Sequence, residues 1–274
     1  MSDQATRIHE LMVRGSGPAH RRERGPGTVV ISGGRPGVGA TTLAVNLAAA
    51  LAQDAHRVVL IDADLYRADV ASQCNLTGGF GIGDVLAGRR SIHEVLQRGP
   101  AGMQVLAGAA SAEIRSGLAE RAILRLLKQM RSLGPHADWL LVDAGNQPSE
   151  FTARLWSAAD RVLLVTSPDA VAVMDTYALI KTLLSRHSLR QSPTLVVNQA
   201  ENDSTAADVH RRIDQSCRRF LGVSVEFAGG VPSDANAANI NRTEHSDPLA
   251  LVLARLGNQI FGAGGHSTLP RMAA

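Results

Sequence analysis

Apolar residues in this chain are concentrated in short continuous runs that are rich in Val, Ile and Leu. Such runs are typical of strands that are buried on both faces of a parallel sheet, because a strand with one exposed face alternates apolar and polar residues. The runs are TVVIS from 28, RVVLID from 57, MQVLAG from 103, DWLLVD from 138, RVLLVT from 161, TLVVN from 194 and a weaker VSVEF from 223.

The segments between these runs carry apolar residues at spacings of three and four, which predicts amphipathic helices. These segments span 41–53, 119–132, 169–186, 205–220 and 247–261. Strands that alternate with helices predict an α/β fold, with a mostly parallel twisted sheet of about 7–8 strands and helices on both faces.

The domain organisation follows from composition. Residues 1–12 have the pattern of a short helix, and residues up to 27 are rich in Gly, Pro and Arg, which is typical of a flexible linker. We therefore predict a single folded domain over 28–262, preceded by a helix and linker over 1–27 and followed by a flexible tail over 263–274.

The charge pattern does not indicate a nucleic-acid-binding protein. The formal net charge is +3, the charged residues are dispersed, and aromatic residues make up 3% of the chain, so clustered cations and stacking platforms are both missing from the sequence. Lys128 and Lys181 are the only lysines. Any cation that meets a phosphate before residue 128 must therefore be an arginine.

Cysteine usage and hydropathy place the chain in the cytoplasm. Cys74 and Cys217 are far apart and form no CxxC pair, so the sequence indicates neither a disulfide framework nor a zinc site. No apolar run reaches 18 residues and no signal-peptide pattern follows Met1. We expect a cytoplasmic protein.

The most informative segment runs from an apolar strand through a glycine-rich loop into a helix, over residues 30–43. Glycines allow successive main-chain N–H groups to converge on a phosphate, and the helix that follows points its positive end at the same place. Gly34 and Gly39 give the spacing of a P-loop, but Ala40 stands where its lysine belongs. The alternatives are a strand-to-helix turn without a ligand, or a dinucleotide-binding loop that lacks its third glycine.

Three aspartates come directly after predicted buried strands. Asp62 and Asp64 follow the run from 57, and Asp143 ends the run from 138. In an open parallel sheet the carboxyl ends of strands form the ligand crevice, so all three are candidates to hold Mg²⁺ or to orient water. Taken singly, an aspartate at the end of a strand is more often a helix cap or turn residue than a ligand.

The glycine-rich loop resembles the deviant Walker A motif of the MinD/ParA superfamily, KGGxGK(S/T). Arg35 stands at the first lysine, Pro36 at the next glycine and Ala40 at the second lysine. The resemblance implies a P-loop NTPase of the SIMIBI class that binds ATP and Mg²⁺ and forms an ATP-dependent homodimer, in which Arg35 reaches the partner's nucleotide. The nucleotide-binding residues that it implies here are Gly34, Arg35, Gly37, Val38, Gly39, Ala40, Thr41 and Thr42.

The carboxylates resemble further motifs of the same superfamily. In that reading Asp64 aligns the attacking water, while Asp62, Thr41 and the Walker B residue Asp143 hold the metal. Asp69 stands where the family tends to have Asn, and Gln147 where it tends to have Gly. The resemblance also implies an adenine pocket formed by Asn198 and a loop at 230–234, which contains Pro232 and Asp234.

Several segments resemble the FlhG branch (FleN, YlxH), whose members regulate flagellar number and placement. Residues 3–9 are similar to its DQAxxLR segment, which stimulates the partner GTPase FlhF, although Ile8 and His9 replace Leu and Arg. Residues 83–88, 93–96 and 99–106 carry the likeness further. The branch usually ends in a membrane-binding basic helix, whereas here 249–261 offers only weak support for peripheral contact with the plasma membrane.

The resemblance implies an ATP-controlled switch that hydrolyses ATP slowly, dimerises and positions a flagellum or a similar surface machine. A second hypothesis is a hydrolysis-deficient adaptor, because Ala40, Pro36 and Gln147 depart from the motif. A third is a relative of ParA-type segregation or pilus-assembly ATPases.

Overall fold

The described residues form one eight-stranded sheet covered by helices on both faces. The computed structural model describes residues 25–109, 118–189, 191–233 and 257. The strands are β1 Gly27–Gly33, β2 Val58–Asp62, β3 Gln97–Arg98, β4 Gln104–Leu106, β5 Trp139–Asp143, β6 Arg161–Thr166, β7 Thr194–Ala200 and β8 Glu226–Pro232.

The helices connect these strands in the alternating pattern that the sequence predicts. They are α1 Ala40–Gln53, α2 Val70–Gln73, α3 Ile82–Ala87, α4 Ile92–Val95, α5 Glu120–Ser132, α6 Glu150–Ala158, α7 Ala170–Leu184 and α8 Asp203–Leu221, with a 3₁₀ turn at Pro100–Gly102. None of the helices in the described part of the chain is long and apolar enough to cross a membrane.

The strand order is β3-β4-β2-β5-β1-β6-β7-β8, and every neighbouring pair is parallel except β3 with β4. This confirms the predicted fold class. The central strand β1 lies between β5 and β6 and alternates its side chains between two cores: Val30 belongs to the core under α5 to α8, whereas Val29 and Ile31 belong to the core under α1. Each face of the sheet therefore needs its own helical layer, as continuous apolar strands predict.

The last strand differs from its predicted position. The sequence indicates a strand at VSVEF from 223 and a loop at 230–234, but β8 begins at Glu226 and continues to Pro232. Gly229 has φ 137°, and the pairing of β7 with β8 is irregular at two places, so the strand lacks the regular apolar pattern that identifies strands in a sequence. Pro232 therefore lies at a strand end.

Three predicted segments lie outside the described residues. These are the N-terminal helix with most of its linker, the helix over 247–261 except residue 257, and the tail over 263–274. Helix α6 was not predicted, because its nine residues are fewer than the stretch over which helical spacing can be recognised. Ser149 caps it by accepting a hydrogen bond from the Thr152 N–H at 3.0 Å.

Candidate nucleotide-binding site

The strand register brings two of the predicted carboxylates together. Strands β2 and β5 are neighbours, and Asp62 is paired in register with Asp143 at their carboxyl ends. On the other side of β5, Ile31 of β1 is in register with Asp143, so the chain leaves β1 and enters the glycine-rich loop directly beside this pair. The sheet therefore places the predicted phosphate loop and the predicted metal ligands at one edge.

The loop from Gly33 to Gly39 ends in a left-handed turn that starts α1. Gly37 has φ 88° and Gly39 has φ 84°, conformations that favour glycine. No side chain caps the first turn of α1, so its amide groups face the loop without a side-chain acceptor. This geometry suits an anion at the helix N-terminus.

The first two amides of the loop already donate hydrogen bonds to main-chain carbonyls of the protein. The Gly33 N–H donates to the Gly145 carbonyl at 3.0 Å, and the Gly34 N–H donates to the Val165 carbonyl at 3.3 Å. Proline at position 36 has no N–H to offer. The amides that remain for a phosphate are therefore those of the second half of the loop and the first turn of α1.

Gly34 packs directly against helix α7. A Cβ at this position would lie 2.3 Å from the Thr176 Oγ1 and 2.6 Å from the Thr176 main-chain nitrogen. Thr176 itself donates to the Ala172 carbonyl and lies 3.0 Å from the Thr166 hydroxyl. Glycine is required at position 34 because the loop touches the helix backbone.

Strand β7 supports the other side of the loop. The Asn198 Nδ2 donates to the Val38 carbonyl at 2.8 Å, and the Gln199 Nε2 donates to the Gly37 carbonyl at 3.1 Å. Asn198 was predicted to read an adenine edge, and its amide nitrogen here contacts the phosphate loop. Sequence reasoning did not identify Gln199, which has no motif of its own.

Asp62 is fully buried and is held by two main-chain groups. Its Oδ1 accepts from the Asp64 N–H and its Oδ2 from the Val70 N–H, both at 3.1 Å. Burial, and then the negative charge of Asp143, raise the pKa of Asp62 to about 8. Near neutral pH and without a cation nearby, this carboxyl therefore keeps its proton.

Asp64 lies close to the loop that follows β5. Its Oδ1 accepts from the main-chain N–H groups of Tyr66 and Arg67, at 2.9 and 3.1 Å. A Cβ at Gly145 would lie 2.3 Å from the Asp64 Oδ2, so glycine at 145 allows this close approach. Asp64 is 6% exposed and its position is fixed by the turn that it caps.

Asp143 carries an unsatisfied oxygen. Its Oδ1 accepts from the Gly145 N–H at 3.1 Å, but its buried Oδ2 has no hydrogen-bond partner among the described residues. Burial raises the pKa of Asp143 to about 6, while the nearby Thr41 hydroxyl and the Gly145 N–H lower it and the charges of Asp64 and Asp69 raise it. The Thr41 hydroxyl therefore favours the ionised carboxylate, while Oδ2 remains without a hydrogen bond to any described residue.

Arg35 is held by acidic residues of its own chain. Its guanidinium lies 3.7 Å from the Asp169 Oδ1 and 3.8 Å from the Asp175 Oδ2, at the N-terminal end of α7. All three side chains are at least 39% exposed, so these ion pairs are weak and exchangeable. Sequence reasoning identified Arg35 but not its two partners.

The remaining predicted site residues lie in the first turn of α1, at exposed positions outside the helices and at the end of β8. Ala40 is the first residue of α1, and Thr41 and Thr42 follow it in the first turn. Gln147 is exposed, and Asp69 precedes α2 with a half-exposed side chain. Pro232 ends β8 opposite Ala200, and Asp234 lies outside the described residues.

A protein-family model and several known proteins are similar to this chain. A ParA family model, described as NUBPL iron-transfer P-loop NTPase, matches residues 26–190. The antiactivator FleN of Pseudomonas aeruginosa is 31% identical over 206 residues, which cover 75% of this chain and 73% of FleN. The flagellum site-determining protein YlxH of Helicobacter pylori is 26% identical over 182 residues, or 66% of this chain and 62% of YlxH.

A solved structure with the same fold is the septum site-determining protein MinD of Pyrococcus horikoshii, in complex with Mg-ADP. It is 19% identical, has a TM-score of 0.68, and is covered over 98% of its length by 88% of this chain. At this identity the likeness establishes the fold.

Proposed function

This chain belongs to the ParA/MinD family of P-loop NTPases, among relatives that include FleN and YlxH, and we propose that it is an ATP-binding switch. Its ATP-bound form would be a homodimer that acts on a flagellum or a similar surface machine. The observation that carries the proposal is the register of Asp62 with Asp143 beside a loop whose second half presents main-chain amides.

The acidic pair fits a magnesium ion. The buried Asp143 Oδ2 lacks a hydrogen-bond partner within the described chain, and oxygen ligands are those that Mg²⁺ prefers. Asp143, Asp62 and the Thr41 hydroxyl would hold the ion. When bound, it would neutralise phosphate charge; it would also favour the ionised form of both carboxyls.

Asp64 would orient the attacking water. It adjoins Gly145, whose carbonyl accepts the hydrogen bond of Gly33 at the start of the loop. One carboxylate oxygen is held by Tyr66 and Arg67, so the side chain is pre-oriented. This role would make the protein a weak ATP hydrolase.

Arg35 would supply the cation that reaches a partner's phosphate. Its exposed ion pairs with Asp169 and Asp175 can be exchanged at small cost, and a guanidinium can grip phosphate oxygens in a bidentate manner. Ala40 provides no second cation, so binding within one subunit would depend on main-chain amides. We therefore expect slow ATP turnover. In the extreme case the protein would be an adaptor that binds ATP without hydrolysing it.

The iron-transfer role named for the matching family model has little support here. The sequence contains two cysteines, Cys74 and Cys217, which are both buried. Burial raises the pKa of each thiol to about 11, whereas iron–sulfur ligation requires thiolates. A flagellar role is supported by the likeness to YlxH, and contacts with an FlhF-like GTPase through residues 3–9 or with the membrane remain proposals for segments outside the described residues.

The test is titration with Mg-ATP followed by sizing of the native chain, Arg35→Ala and Arg35→Lys. We expect a nucleotide-dependent dimer in the native chain, its loss in Arg35→Ala and its partial recovery in Arg35→Lys. Dimers that form equally well in Arg35→Ala would exclude the proposed role of Arg35, and no response in any variant would exclude the switch.

Hydrolysis separates the switch from the adaptor. We expect slow ATP turnover in the native chain and none in Asp64→Asn at unchanged ATP affinity. Binding without turnover in the native chain would favour the adaptor, and equal turnover in Asp64→Asn would remove Asp64 from the mechanism.

A further inference from the structure

Two successive side chains of β7 reach the same segment of the phosphate loop. In a regular strand, neighbouring side chains point to opposite faces of the sheet, so Asn198 and Gln199 should diverge. Instead, Asn198 donates to the Val38 carbonyl at 2.8 Å and Gln199 donates to the Gly37 carbonyl at 3.1 Å. The backbone must depart from strand geometry for both contacts to exist.

The departure is visible at Gln199. Its φ is 59°, in the left-handed region that is unfavourable for a residue with a side chain. The pairing of β7 with β8 shifts register between Asn198 and Ala200, which leaves Gln199 out of the ladder. Bulges of this kind redirect side chains next to functional sites.

The contacts set the direction of two loop amides. In a trans peptide the carbonyl of one residue and the N–H of the next point in opposite directions. Holding the Gly37 and Val38 carbonyls toward β7 therefore turns the N–H groups of Val38 and Gly39 away from β7. The space beside Gly39 is already filled, because a Cβ there would lie 2.3 Å from the Asn198 Nδ2.

We infer that Gln199 is a positioning residue which, together with Asn198, clamps the phosphate loop in the orientation that presents the Val38 and Gly39 amides to a triphosphate. The inference rests on the proposed function, in that it names how this loop binds its nucleotide. The clamp matters here because Ala40 contributes no cation and Pro36 no N–H, so that main-chain amides carry the phosphate. The backbone strain at Gln199 is maintained by these contacts.

The test compares Gln199→Met, which keeps the side-chain length but cannot donate, with Gln199→Gly, which also relieves the left-handed backbone. Gln191→Met, at an exposed glutamine just before β7, is the matched control. For each variant, amide hydrogen exchange of residues 35–43 is measured without nucleotide. The thermal midpoint and the affinities for Mg-ATP and for Mg-tripolyphosphate are measured as well.

We expect faster exchange confined to residues 35–43 in both Gln199 variants, and native behaviour in the control. Affinity for Mg-ATP and Mg-tripolyphosphate should fall together by about three- to tenfold, the value of one hydrogen bond. The thermal midpoint of Gln199→Gly should equal or exceed that of the native chain, since its backbone strain is relieved. A purely structural role would instead lower the midpoint and raise exchange throughout the chain.

Unchanged exchange in residues 35–43 would overturn the clamp, whatever the nucleotide affinity. Faster exchange with native affinity for both ligands would overturn its role in binding. If the native chain bound neither ligand while the Gln199 variants still exchanged faster, the loop clamp would stand and the proposed function would fail.

Discussion

Asp62 and Asp143 are 0% and 1% exposed and are paired in register, and the charge of Asp143 makes ionisation of Asp62 less favourable. Water is largely excluded from both, and the main-chain donors around them satisfy only part of their charge. With a pKa of about 8, Asp62 holds its proton near neutral pH unless a cation is close, whereas Asp143, with a pKa of about 6, is largely ionised. A nucleotide-free subunit without Mg²⁺ therefore carries less negative charge at this edge than its sequence suggests.

Stability should fall as the pH rises. Asp62 has a folded pKa of about 8 against an ordinary value of 3.8, so between these values the unfolded chain has released a proton that the folded chain retains. Unfolding is then favoured by raising the pH, by an amount on the order of a few kcal/mol across the interval. Urea unfolding at pH 5 to 8 in EDTA measures the slope. Asp62→Asn should flatten it, and an equal slope in this variant would contradict the assignment.

Ala40 is the position at which binding should be easiest to improve. Ala40 is partly exposed, and a lysine at this position would keep the Cβ and add a flexible chain that ends in an ammonium group beside the loop. We expect Ala40→Lys to bind Mg-ATP about tenfold more tightly, the value of a charge-assisted hydrogen bond. Calorimetric titration measures the change. Ala40→Met is the control of similar length without charge, and equal tightening by Met would show that packing is the cause.

At the level of elements, helix α6 is hydrogen-bonded to strand β1, which leads into the phosphate loop. The Trp156 Nε1 donates to the Ser32 Oγ at 2.9 Å, and the two side chains are 1% and 0% exposed. Ser32 immediately precedes Gly33, where the loop begins. The position of α6 is therefore linked by a buried hydrogen bond to the start of the loop.

Removing one partner of this bond should destabilise the fold. Ser32→Ala leaves the buried indole N–H without its acceptor, and we expect a loss of about 1–3 kcal/mol in the free energy of unfolding. Trp156→Phe alone should also destabilise, because it removes packing volume. The double variant should lose less free energy of unfolding than the sum of the losses in the two single variants. Strict additivity in chemical unfolding would show that the hydrogen bond contributes nothing.

The elements that the sequence predicts correctly are those with a strong period. Helix α5 buries Ala122, Ile123, Leu126 and Met130 at the predicted spacing, and strands β2 and β5 are buried at every position. The two-residue strand β3 is too short to show a period. In β8 the exposed Glu226 and Phe227 interrupt the pattern of buried residues by which a strand is recognised. Local pattern identifies long elements with a regular period and misses those that are short or irregular.

The site was predictable to the extent that its residues follow one another in the chain. The loop and the strand-terminal aspartates are local motifs, so the sequence identifies them. The contacts of Arg35 with Asp169 and of Gln199 with Gly37 join residues more than a hundred positions apart. They depend on strand order and on a local bulge, which neither composition nor spacing encodes.

For the whole molecule, strand order makes the ligand site part of the central sheet. The loop leaves the middle strand β1, and its neighbours β5 and β6 provide the Gly145-containing turn and the Val165 carbonyl that hold it. Nucleotide binding should therefore stabilise the entire described domain. At about 100 times the dissociation constant, Mg-ATP should add about 2.7 kcal/mol to the free energy of unfolding.

Thermal unfolding with increasing Mg-ATP measures this coupling. The midpoint should rise steadily with ligand concentration and return to its ligand-free value when EDTA removes the metal. A midpoint that is insensitive to Mg-ATP up to millimolar concentration would contradict nucleotide binding by the native chain.

The contact of Gly34 with Thr176 offers a route to observing the loop without disturbing it. Met174 lies on α7 two residues before Thr176, and its side chain is 71% exposed on the outer surface of that helix. A ¹³C-labelled methyl group at Met174 would be sharp and solvent-facing in an NMR spectrum. Because Gly34 packs on α7, we expect filling of the loop to shift this helix slightly, and the Met174 chemical shift would then report ligand occupancy from outside the pocket.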